Sequence, residues 1–210
     1  SMLMPPLYAF FLYFIKILTL EKINFLNSLI FIQIVFSTIS VYVFYKINNK
    51  FFSDQMSLIS SYIFSLFPLN IYAAGQVSSI TLQVLLLLLF ILFLFIISEN
   101  KIAKNYLIFS VLSGLLILIR GEFIFIFIIT LFYLFLKNKI KPIYLFTIFL
   151  LTLLIVTPYV IRNYITFNQI VLVKSLGYNL WKGNNEVATV EGYENINHPN
   201  LRNINKKITA

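Results

Sequence analysis

Residues 25–45 run for 21 positions without a charge, and residues 84–97 are apolar throughout. A helix needs roughly 20 predominantly apolar residues to cross a bilayer core. The whole chain agrees with that reading. Of its 210 residues, 60% are hydrophobic and 11% charged, against roughly a quarter charged in a soluble domain. Lipid is therefore the main solvent, and in lipid each backbone N–H and C=O must be satisfied within its own segment. That predicts an all-α fold, a polytopic transmembrane helix bundle.

Seven apolar segments can be traced, at 6–20, 25–45, 55–74, 77–97, 102–119, 121–136 and 142–161. The last six predict about six spans. The first has 15 residues, carries Lys16 in its interior and follows Pro5-Pro6. It reads as an amphipathic helix lying in the outer interface, with an ordinary span as the alternative. Pro68 and Asn70 fall near the end of the 55–74 segment. The expected organisation is a transmembrane core over 1–161, followed by the start of an extracytoplasmic loop region over 162–210. The chain opens at Ser1 without the basic leader of a signal peptide and stops at Ala210 in a polar stretch, so both ends read as truncations.

The net charge of +9 comes from 16 basic and 7 acidic residues. In a soluble protein this would raise nucleic-acid binding, but no nucleic-acid partner is expected here, because most of the lysines sit in short loops between apolar runs. Lys46 and Lys50, Lys101 and Lys104, and Lys137, Lys139 and Lys141 fall in alternate loops. The turn around Gly75-Gln76 is uncharged, and the turn at 120–122 holds only Arg120 and Glu122. By the positive-inside rule, the lysine loops are cytoplasmic, and the 120–122 turn and the tail from Arg162 are extracytoplasmic. The absence of cysteine excludes disulfides and thiolate metal sites. With His198 as the single histidine, no metal site is expected.

Three polar features stand out. Arg120-Gly121-Glu122 joins two short spans, so the turn is expected at or slightly below the outer surface. A charge there must be paired, snorkelling or facing a cavity. Gly121 could break the helix and let Arg120 and Glu122 converge, giving either an arginine for a lipid phosphate or a snorkelling residue beside a capping glutamate. The second feature, Thr157-Pro158-Tyr159-Val160-Ile161-Arg162-Asn163-Tyr164, has the aromatic and basic character of a membrane exit. The third is Gly177-Tyr178-Asn179-Leu180-Trp181-Lys182-Gly183-Asn184-Asn185. Its aromatic faces and amides suit sugar recognition, and its glycines a tight backbone. An interfacial loop anchored by Trp181 is the alternative.

The stretch from Pro158 to Asn185 resembles bacterial membrane glycosyltransferases of the GT-C fold. The closest group is the protein-mannosyltransferase-like family (glycosyltransferase family 39), which also includes the lipid A aminoarabinose transferases. Pro5-Pro6-Leu7-Tyr8 resembles the end of that family's first extracytoplasmic loop, and Arg120-Gly121-Glu122 sits where many members have Arg-Pro-Glu. The resemblance implies a polyprenyl-phosphate sugar as donor substrate, with no further cofactor. It implies inverting transfer to a glycan, lipid or protein acceptor on the outer face of the bacterial inner membrane. The catalytic acidic residues are then expected upstream of Ser1, with none in this chain. Arg120, Glu122 and Arg162 become candidates for holding the donor phosphate. Asn163, Tyr178, Asn179, Trp181, Asn184 and Asn185 become candidates for sugar or acceptor contact. One departure is Ser79-Ile80, where many members have an acidic residue after the serine. A lipid-linked-sugar flippase and a non-catalytic membrane subunit are the alternative functions.

Overall fold

A computed structural model describes residues 6–19, 24–99, 102–137 and 140–172. Among these the chain is all-helical: α1 (Pro6–Leu18), α2 (Phe25–Asn48), α3 (Asp54–Ser65), α4 (Pro68–Ala74), α5 (Ile80–Glu99), α6 (Ala103–Ile119), α7 (Phe123–Leu136) and α8 (Pro142–Phe167). All lie within one compact unit, Pro5–Leu172.

Local chemistry sets most helix boundaries. The Asn24 side chain accepts from the Leu26 N–H at 3.0 Å and starts α2. Pro142 opens α8 at a position whose N–H would have no helical partner. Asn168 closes α8 in the left-handed region, at φ 52°, a conformation asparagine tolerates better than most residues.

The 55–74 segment does not form one continuous helix. It breaks between α3 and α4, which meet at a 55° bend. Phe67 precedes Pro68 and is extended (ψ 118°), because a residue before proline is pushed out of the helical region. Asn70 reaches back across the break, its Nδ2 donating to the Phe64 carbonyl at 3.4 Å. The second apparent breaker behaves differently. Pro158 lies inside α8, which runs on to Phe167, six residues past the expected end of the span. The Thr157 hydroxyl beside it donates to the Leu153 carbonyl at 2.7 Å, and α8 packs against α6. Neighbouring helices and hydroxyls allow a proline to stay within a membrane helix.

Three helices, α2, α5 and α8, are long and apolar enough to cross a membrane by themselves, and the bent α3–α4 pair makes a fourth if counted as one span. At 17 and 14 residues, α6 and α7 extend only about 26 and 21 Å. The 13 residues of α1 reach about 20 Å, too short to cross. This helix packs against α2 and α6. Its Ile15 is buried, while Lys16 faces outward.

The core is built around α6, which packs against α5, α8, α1 and α7. Phe109 of α6 stacks on Phe90 of α5 with ring centroids 4.9 Å apart. Toward α8, the α6 surface is small: Ser110, Ser113 and Gly114 are all buried. Thr152 of α8 donates to the Ser110 carbonyl at 3.3 Å. A Cβ added at Gly114 would stand 2.7 Å from Ile155 Cγ2. Small residues let helices approach closely where lipid supplies no hydrophobic drive for association. Large side chains such as Phe125, Ile129, Phe132 and Leu154 face outward, as lipid-facing positions should.

Polar ties fix the two ends. At the lysine-bearing end, Lys50 pairs with Glu99 at 2.8 Å, and Tyr45 donates to the Asp54 carboxylate. Toward the opposite end, fully buried Gln33 of α2 donates to the Ser78 carbonyl in the α4–α5 turn at 2.8 Å. The Tyr8 hydroxyl of α1 faces the same glutamine, although neither that hydroxyl nor Gln33 Oε1 completes a bond of good geometry.

Candidate functional site

The α6–α7 turn is held by its backbone rather than by its side chains. Arg120 is extended (φ −153°, ψ 118°), and its N–H donates to the Leu116 carbonyl at 3.1 Å. The Arg120 carbonyl accepts from the Phe123 N–H at 3.1 Å, and the Gly121 carbonyl from the Ile124 N–H at 3.2 Å. Ile119 on one side and Phe123 on the other are buried, so the turn is pinned at both ends. Arg120 and Glu122 between them are exposed. They do not converge: no ion pair joins them among the described residues. The turn follows from the extended Arg120, not from a left-handed glycine, and Arg120 has no carboxylate partner among the described residues.

The α8 exit is a second built feature. The Arg162 guanidinium lies 5.8 Å from the Tyr159 ring centroid and 5.4 Å from that of Phe167. Its Nη1 donates to Asn163 Oδ1 at 3.0 Å. Asn163 itself is fully buried. After the left-handed turn at Asn168, the chain doubles back, and Asn163 Nδ2 donates to the Val171 carbonyl at 2.8 Å and the Leu172 carbonyl at 3.5 Å.

The two features adjoin. A Cβ at Gly121 would sit 3.8 Å from Leu172 Cβ, so the segment held by Asn163 rests against the α6–α7 turn. Arg120, Glu122 and Arg162 therefore share one rim of the unit. The cations can still engage an anion, since neither arginine has an acidic partner among the described residues. Asn163 differs from the other candidates in being enclosed rather than displayed. Tyr178, Asn179, Trp181, Asn184 and Asn185 lie outside the described residues. Among the described residues, no group of three or more His, Cys, Asp or Glu could hold a metal ion.

Residues 4–161, about three-quarters of the chain, match the family model described as dolichyl-phosphate-mannose-protein mannosyltransferase. The chain belongs to that family. It is a multi-pass membrane protein of a glycosyltransferase family, and the GT-C resemblance noted from its motifs stands. The match to the mannosyltransferase family takes in Arg120 and Glu122 and ends immediately before Arg162. No curated protein and no solved structure matches the chain.

Sequence reading passed over Asn168 and Leu172, which bring the α8 exit to the turn. Asn168 carried a usable signal, as an asparagine after a helical run. Leu172 carried none, because its partner is 51 positions away.

Proposed function

We propose that this protein takes its sugar from a polyprenyl-phosphate donor and delivers it to a glycan, lipid or protein hydroxyl on the outer face of the bacterial inner membrane. The observation that carries the reading is the shared rim bearing Arg120 and Arg162, two cations without carboxylate partners among the described residues, at the end of the unit away from the lysine loops. A lipid phosphate is the anion available at that depth, and guanidinium matches it with two parallel hydrogen bonds.

In the proposed reaction, a carboxylate takes the acceptor proton. The acceptor oxygen attacks the anomeric carbon, and the bond from that carbon to the phosphate oxygen breaks. The departing polyprenyl phosphate carries the negative charge, and Arg120 and Arg162 stabilise it as it forms. Glu122, exposed beside Arg120 but making no ion pair with it, is available to a neighbouring cation. Tyr178, Asn179, Trp181, Asn184 and Asn185 supply stacking and amide contacts to sugar or acceptor.

One observation favours a second reading, a lipid-linked-sugar flippase. Broken helices around a polar cleft suit transporters. The bent α3–α4 pair borders a groove of about 890 Å³ lined partly by hydroxyls, including Ser37, Thr38, Tyr42, Ser61 and Tyr62. Among the described residues no charged side chain lines it, however, and family membership favours transfer.

The full gene product in sealed vesicles of known orientation separates the two. Supplied with labelled polyprenyl-phosphate sugar in the leaflet matching the 120–122 turn, it should yield labelled acceptor and free polyprenyl phosphate. A flippase would move intact donor between leaflets without splitting it. Product formed only from donor in the lysine-loop leaflet would overturn the proposed face.

A further inference from the structure

The sequence places Asn163 among residues that could touch a sugar; its surroundings give it different work. Buried completely, the side chain has its amide nitrogen 2.8 Å from the Val171 carbonyl and 3.5 Å from the Leu172 carbonyl of the returning segment, and its oxygen accepts from Arg162. Enclosed and committed to these backbone carbonyls, the amide is not displayed to a ligand.

We infer that Asn163 is a positioning residue, a buried clasp that fastens the segment after α8 against the α6–α7 turn and thereby sets Arg162 on the same rim as Arg120. Three contacts in series carry this. Asn163 Nδ2 holds the Val171 and Leu172 carbonyls, Leu172 rests on Gly121, and Asn163 Oδ1 receives the Arg162 guanidinium. Arg162 is also bounded by the Tyr159 and Phe167 rings. The guanidinium of a flexible side chain is thus confined, which lowers the entropy lost on meeting an anion. Without the clasp, two part-buried carbonyls lose their donor and the returning segment is free to leave the turn. The effect on donor use rests on the function proposed above; the clasp does not.

The geometry supplies its own test. The chain has no cysteine, and 3.8 Å between the Cβ positions of residues 121 and 172 is the usual separation across a disulfide. In the full gene product, Gly121→Cys with Leu172→Cys should cross-link rapidly under mild oxidation. Adding Asn163→Ala should slow cross-linking by about tenfold, the effect of losing a buried hydrogen-bonded tie. Equal rates with and without Asn163→Ala would overturn the clasp whatever the enzyme does.

The transfer assay adds a readout that a sugar contact would not share. Asn163→Ala in the reduced protein should raise KM for the polyprenyl-phosphate donor more than it lowers kcat. Forming the 121–172 disulfide should restore donor use, and reducing it should remove the gain. A residue that touched sugar would not be rescued from 121–172, so failure of rescue in a protein whose parent is active refutes the positioning role. A parent that cross-links as expected but transfers nothing refutes the proposed function and leaves the clasp standing. Should Asn163→Ala lower the yield of folded protein, Asn163→Asp, equal in size but with no N–H to donate, carries the same comparison.

Discussion

Replacing Arg120 with alanine is expected to lower transfer from a polyprenyl-phosphate donor by about 30- to 1000-fold, equivalent to roughly 2–4 kcal/mol of transition-state stabilisation. Arg120 is exposed, joined to Glu122 by no ion pair, and held in place by backbone bonds on both sides. Removing its side chain therefore leaves the turn intact. The loss should be felt as leaving-group charge develops and appear mainly in kcat/KM. Arg120→Lys should recover only part of it, since an ammonium cannot reproduce the planar two-point grip on phosphate. An arginine that only snorkels to the surface predicts the reverse: near-normal turnover per folded molecule for both variants and, for alanine, reduced expression. Steady-state kinetics normalised to folded protein separate these outcomes.

The second large effect concerns stability. A Cβ at Gly114 would lie 2.7 Å from Ile155 Cγ2 and 2.8 Å from Ile155 Cβ. The nearer atoms sit at the base of that side chain, so rotating its tip cannot relieve the clash. Gly114→Ala must push α6 from α8 and should cost about 1–3 kcal/mol, the usual range for overpacking. Gly114→Leu should prevent the pair from docking and leave little folded protein. Ile155→Ala, placed beside Gly114→Ala, should return part of the lost stability, because the two positions compete for one volume. Thermal unfolding of the purified variants in detergent reads this out. An unchanged Tm for Gly114→Ala would show that the two helices do not approach this closely.

Helix placement was largely legible in the sequence. Uncharged runs marked the long helices, and loop lysines marked their shared ends, because transfer into lipid penalises charge wherever it falls. What composition could not set was continuity. Pro68 follows a break, with Phe67 extended before it, whereas Pro158 stays within α8, where the adjacent Thr157 hydroxyl donates to the Leu153 carbonyl. Length was also less legible than position: α6 and α7 are apolar but at 17 and 14 residues run slightly shorter than the segments expected at 102–119 and 121–136.

The candidate site was readable only in part. Arg120 and Arg162 stood out as charges at helix ends, a local signal. That they share a rim depends on Leu172 meeting Gly121 and on Asn168 reversing the chain, contacts between distant positions that no spacing rule encodes. Asn163 looked like a ligand-facing amide because residue type suggests chemistry, whereas burial decides whether that chemistry is already committed. Gln33 is a cue the sequence reading passed over: a polar side chain amid an uncharged run seeks a partner in the interior, and its Nε2 donates to the Ser78 carbonyl.

Equilibrium binding of polyprenyl phosphate, the product that carries the departing charge, tests the arginine rim most directly. Measured for the full gene product and for its Arg120→Ala and Arg162→Ala variants, binding should weaken by about tenfold or more in each, as expected for loss of a charge-assisted contact. It should be little changed in Gln76→Ala, an exposed position in the uncharged α4–α5 turn. Unaltered affinity in both arginine variants would contradict the account, leaving the rim a membrane anchor rather than a phosphate site.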